Sequence, residues 1–121
     1  MRAIDLQAFN VFDLDAYGSP WEHMIVLAAR RKWTKGERGA VILTDGTALK
    51  MRFGQLPGAI AQLCGVAKDR MPPSGETGTA AQEMALRAWA ERSGVAIVRQ
   101  WRAEGNTRNH MVYTAIVFEG K

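Results

Sequence analysis

The spacing of hydrophobic and polar positions changes several times along this chain, and the changes mark its elements. Over Val11-Phe12-Asp13-Leu14 the alternation sets Val11 and Asp13 against Phe12 and Leu14, which predicts a short strand. Ser19-Pro20-Trp21-Glu22 reads as a helix start. Ser19 can cap free N–H groups, Pro20 suits the first helical position, and Glu22 completes a capping box. The helix is expected to run to about Trp33, with Arg30-Arg31-Lys32 set favourably against the negative end of its dipole.

The apolar run Ala40-Val41-Ile42-Leu43-Thr44, then Asp45-Gly46, then Thr47 to Phe53 predicts a hairpin with a type I′ turn, since both turn positions need positive φ. Its register puts Ala40, Ile42, Leu49 and Met51 on the core face, and Lys50 and Arg52 on the other. A short helix over 58–66 follows, then an irregular connection over 67–78 containing Pro72 and Pro73. Thr79-Ala80-Ala81-Gln82 forms a second capping box and opens a helix to about Arg92, stopped by Ser93-Gly94. On that helix Glu83, Arg87 and Glu91 mark the wet side, while Ala81, Met84, Ala85 and Ala88 are expected inside. Strands near 95–103 and 110–119 form a second hairpin, whose return strand is apolar on both faces and so is expected to be central or covered. The expectation is a single α+β domain over residues 1–121, built from two antiparallel β-hairpins and about three helices.

Composition supports a folded domain: 47% of the 121 residues are hydrophobic, and four tryptophans supply bulky core material. With Cys64 alone, no intrachain disulfide can form; in its apolar helical stretch it is expected to act as a small hydrophobe. No apolar run reaches bilayer length and Met1 to Leu6 lacks a signal-peptide pattern, so a cytoplasmic protein with no membrane partner is expected.

Charge changes the picture more. Residues 1–29 hold one base and four acids, whereas residues 30–121 hold fifteen bases and eight acids, a net of +7. The acidic leading segment could lie against the basic body and neutralise part of it. If it does not, clustered cations point to phosphate binding. Arg30, Arg31, Lys32, Lys35 and Arg38 are the expected main phosphate contacts, with Lys50, Arg52, Arg102 and Arg108 extending the surface. Strand alternation sets Trp101 beside Arg99 and opposite Arg102; both Trp33 and Trp101 are expected in the core rather than stacked on bases.

Other chemistry finds little footing. His23 and His110 sit on different elements and have one cysteine for company, so no metal is expected. The serines Ser19, Ser74 and Ser93 lack a nucleophile elbow, and Asp13 and Asp15 read as the polar edge of an acidic segment. The loop Ser74 to Thr79 lacks the Gly-Lys-Ser/Thr ending that cradles phosphate. The sequence therefore points to a protein that is not an enzyme and needs no cofactor. A nucleic-acid-binding protein is expected first. The alternative is a protein-binding regulator or inhibitor, such as an accessory anti-defence protein of a phage or mobile element, with a homodimer among the arrangements considered.

Overall fold

A computed structural model describes residues 6–15, 20–46, 58–65, 79–104 and 111–121. After a 3₁₀ turn at Leu6–Ala8, the elements are β1 (Val11–Asp15), α1 (Trp21–Arg30), β2 (Arg38–Asp45), α2 (Gly58–Cys64), α3 (Thr79–Ser93), β3 (Val95–Glu104) and β4 (Val112–Gly120). The chain is an α+β domain, but its strands form one mixed sheet in the order β1-β2-β4-β3 rather than two hairpins.

The expected hairpin across Asp45-Gly46 is the main correction. β2 pairs in parallel with β1 on one side and antiparallel with β4 on the other, so neither of its edges is left for 47–53. Leu49, Lys50, Met51 and Arg52 lie outside the described residues. The face of β2 is also reversed: Val41 and Leu43 are buried, while Ile42 is exposed. The run is apolar at both parities, so alternation within it does not say which side is wet. Asp45, expected at the turn, is the buried end of β2. It accepts hydrogen bonds from Trp21 Nε1 at 2.8 Å and Gln82 Nε2 at 2.9 Å, tying together the starts of α1 and α3. Gln82 Oε1, the atom a capping box would use as acceptor, is buried without a hydrogen-bond partner, so Gln82 does not serve as the far half of that box.

The second hairpin stands. β3 and β4 pair antiparallel, β4 is central, and Val98 is an extra residue where the register shifts between Ile97 and Arg99. Gly94, at φ +71°, makes the left-handed turn from α3 into β3. Gly120 permits a close approach, because a Cβ there would stand 2.0 Å from the Thr34 carbonyl oxygen.

The helices cover one face of the sheet. Trp21, Met24 and Leu27 of α1 and Ala85, Leu86 and Trp89 of α3 meet Val41, Leu43, Ile116 and Phe118 in a continuous core. Trp89 locks α3 to α1 by donating its indole N–H to the Met24 carbonyl at 3.0 Å. On α3, Arg87 and Glu91 are exposed and Ala81 and Ala85 buried as expected; Glu83 and Ala88 are half-buried, Met84 is exposed, and Leu86 and Trp89 complete the inward face. No helix among the described residues is long and apolar enough to cross a membrane.

Candidate functional site

The helix α1 ends three residues earlier than its periodicity suggests, and the reason organises the adjoining surface. Pro20 stands at its N-cap with no side-chain cap bond, and Ser19 lies outside the described residues. At the other end Arg31 takes an extended conformation, φ −99° and ψ 116°, while its N–H still donates to the Leu27 carbonyl. Its side chain turns inward and is 0% exposed.

There the guanidinium is fully engaged. Its Nε donates to the Phe9 carbonyl at 3.0 Å, one terminal nitrogen donates to the Lys32 carbonyl, and the other donates to Glu37 Oε2 at 2.7 Å. It also lies 3.8 Å from the centroid of the Trp33 ring, in cation–π contact. Trp33 in turn meets Phe12 and Phe118 edge-on and packs against the core half-buried, short of the full burial expected. Hydrogen bonds from Arg31, and then from the Thr34 N–H, hold the Glu37 carboxyl below its ordinary range. Of the expected phosphate contacts, Arg31 is therefore committed to the fold. A buried guanidinium already paired with carboxylate and carbonyls has no donor to offer a phosphate.

Its neighbours are placed differently. Gln7 clamps the backbone of Lys32, donating to its carbonyl at 2.6 Å and accepting from its N–H at 3.0 Å, and the lysine side chain stands exposed. The turn Thr34 to Glu37 is stapled to the end of β4: Gly36 N–H donates to the Gly120 carbonyl at 2.9 Å, and Gly120 N–H donates to the Glu37 carbonyl at 2.8 Å. Lys121 N–H continues the staple to the Gly94 carbonyl at 3.0 Å. Arg30, Lys32, Lys35, Arg38 and Lys121, all exposed, thus gather at one end of the sheet. Of the described acids there, Glu37 is neutralised by Arg31, Glu91 stands exposed on the last turn of α3, and Glu119 meets Arg38 only at 3.7 Å with both side chains in solvent. Exposed pairs of that kind are weak.

Arg102 does not join this pole. It lies opposite Thr114 toward the far end of β3, on the helix-covered side. Lys50, Arg52 and Arg108 lie outside the described residues. Lys121, which joins the cluster, gave no local signal in the sequence; only the pairing of β4 with β2 and β3 brings it there.

The other face of the sheet is not covered by the described helices. Its side chains lie in rows across the four strands: Val11, Ala40, Val117, Arg99; then Asp13, Ile42, Ala115, Trp101; then Asp15, Thr44, Tyr113, Ala103. Trp101, expected in the core, is 46% exposed here, with the Arg99 guanidinium 5.0 Å from its ring centroid. The alternation that sets Trp101 with Arg99 and against Arg102 holds; the side facing water is the opposite one. Among the described residues no three His, Cys, Asp or Glu side chains converge as a metal site would require. His23 is exposed on α1, and His110 lies outside the described residues. Set against known proteins, the chain matches no family and no curated sequence.

Proposed function

We propose that this is a small nucleic-acid-binding protein whose basic pole grips the phosphate backbone through Arg30, Lys32, Lys35, Arg38 and Lys121. The observation behind this reading is the sorting of charge: Arg31 is consumed internally by Glu37, while among the described residues Lys32, Lys35, Arg38 and Lys121 stand exposed around it, with Glu119 and Glu91 as the acids at that end. Clustered cations that meet phosphates release condensed counterions, so binding weakens with salt. If all five engage, the plot of log K against log salt has a slope of about −4.5 on duplex and about −3.5 on single strands.

Fluorescence anisotropy with single- and double-stranded oligonucleotides at several salt concentrations tests it. Lys32→Gln with Lys35→Gln should flatten the slope by about 1.4–1.8, whereas Arg87→Gln, on the exposed side of α3, should leave it unchanged. No binding at low salt ends the proposal. The exposed Val11, Ile42, Trp101 and Tyr113 favour a second reading, a non-catalytic protein-binding regulator. A stoichiometric protein partner that survives nuclease, without direct oligonucleotide binding, would favour it.

A further inference from the structure

We infer that the open face of the sheet is the contact surface for a second copy of this chain, related by a two-fold axis lying between the two faces and parallel to the strands. The inference goes beyond the nucleic-acid reading and does not require it.

Two-fold contact demands that a surface complement itself. An axis parallel to the strands keeps each row at its level and places β1 over the partner's β3 and β2 over the partner's β4. In the central columns each row then sets a small side chain against a larger one: Ala40 over Val117, Ile42 over Ala115, Thr44 over Tyr113. Arg38 comes over Glu119, a pairing made only loosely within one copy. In the outer columns Asp13 comes over Trp101, whose indole N–H it can accept, and one row from Arg99. The face is acidic along β1, apolar through the middle, and basic with an aromatic along β3. An axis across the strands would instead stack β1 on β1, with Asp13 against Val11 and the two acidic columns together. Charge therefore selects the first arrangement.

The edges of the sheet discourage the other common route to association. β1 is five residues long and carries Asp13 and Asp15, and β3 is bulged at Val98. Charged, short or bulged edges block strand addition. With four strands about 4.8 Å apart and rows about 6.8 Å apart, the face measures roughly 19 by 24 Å. Two copies would bury on the order of 1,000 Å², near the lower end for specific complexes, so a micromolar dimer is expected. Because the axis runs along the strands, both basic poles emerge at the same end. The pair would present one cationic surface of twice the width.

Sedimentation velocity and light scattering over roughly 1–500 μM protein should show a monomer–dimer equilibrium. Ile42→Arg should abolish it while the thermal melt stays unchanged, since Ile42 is already exposed. Asp13→Arg and Arg99→Asp should each weaken self-association about tenfold or more by facing like charges across the axis. Mixing those two variants should restore a dimer containing one of each, which a merely misfolded variant could not do. A wild-type protein monomeric throughout the range overturns the inference. So does a dimer that ignores all three substitutions, or a mixture that fails to pair. If the protein stays monomeric while oligonucleotides quench its tryptophan fluorescence and Trp101→Ala removes binding, the face serves nucleic acid. The inference then fails while the nucleic-acid reading survives.

Discussion

Replacing Arg31 by methionine separates the buried cation from the exposed ones beside it. Methionine keeps an unbranched, polarisable stem against the Trp33 ring and removes every donor. The Phe9 carbonyl loses its donor, the Lys32 carbonyl keeps Gln7, Glu37 loses its ion pair, and the ring 3.8 Å away loses its cation. A carbonyl left without its donor and shielded from water costs about 1–3 kcal/mol. A desolvated cation–π contact adds about 1–2 kcal/mol. Against these losses, the substitution relieves the cost of holding a charge away from water. The net expectation is a loss of about 3 kcal/mol, a large share of the 5–15 kcal/mol on the order of which domains are stable. At 121 residues this corresponds to a Tm lower by roughly 10–15 °C.

Circular dichroism melts give the first readout, and oligonucleotide anisotropy, run where the variant is fully folded, gives the second. Arg31→Met should lower Tm and leave the salt slope of binding unchanged. Lys35→Gln should do the reverse, with Tm within about 1 °C of wild type and the slope flatter by about 0.7–0.9. If Arg31→Met melts within about 2 °C of wild type and flattens the slope, Arg31 contacts phosphate and its burial has been misread.

Three further outcomes follow from the same geometry. Because Glu37 is held below its ordinary carboxylate value by Arg31, its ionised form contributes stability that is complete above about pH 4.5 and is lost as pH falls through the lowered folded value. Urea midpoints across pH 2–6 should show that loss, and Glu37→Gln should flatten it; an unchanged profile in the variant refutes the assignment. Gly120→Ala drives a Cβ into the Thr34 carbonyl and strains the staple at the basic pole, so a loss of about 1–3 kcal/mol is expected in urea unfolding, and a change below about 0.5 kcal/mol counts against the close approach. Burial pushes the Cys64 thiol up, opposed in part by Arg92, so at pH 7.5 it should react with an aromatic disulfide about tenfold more slowly than free cysteine; an equal rate would show the thiol to be open.

What the sequence showed depended on how local the deciding contacts were. The β3–β4 hairpin and the stop at Ser93-Gly94 rest on neighbouring residues and read correctly. The wet side of α3 is legible at Arg87 and Glu91 but not at Met84, whose polarity gives no warning of exposure. Asp45-Gly46 carries a strong local turn signal, yet Asp45 is held by Trp21 and Gln82, which lie 24 and 37 residues away. No window of a few residues contains that information. The same holds for Arg30-Arg31-Lys32, where three adjacent cations look alike until Phe9 and Glu37 close around the middle one. Four of the nine expected phosphate contacts stand exposed together at one pole, where Arg31 is buried among them, while Arg102 lies toward the far end of β3. Trp101 shares the odd parity of Val95 and Ile97, which face the helices, but the extra residue at Val98 turns that parity outward beyond it, and the sequence alternation gives no sign of the bulge.

The sorting of charge bears on how the protein would meet its partner. β1 and β2 both run away from the basic pole, so Asp13 and Asp15 stand progressively farther from it along the open face. Since Trp21 bonds Asp45 at the far end of β2, α1 starts there and returns toward the pole, which leaves Glu22 in its first turn at the acidic end as well. The described acids of the leading segment are thus held away from Lys32, Lys35 and Arg38. Among the described residues these acids stand at the opposite end of the strands from the exposed cations of the pole. A domain charged in this way turns its cationic end toward a polyanion before contact, which accelerates encounter at low salt. The association rate should therefore fall with salt faster than the dissociation rate rises. Reversing Asp13 and Asp15 to lysine should alter the rate of approach to an oligonucleotide more than its residence time.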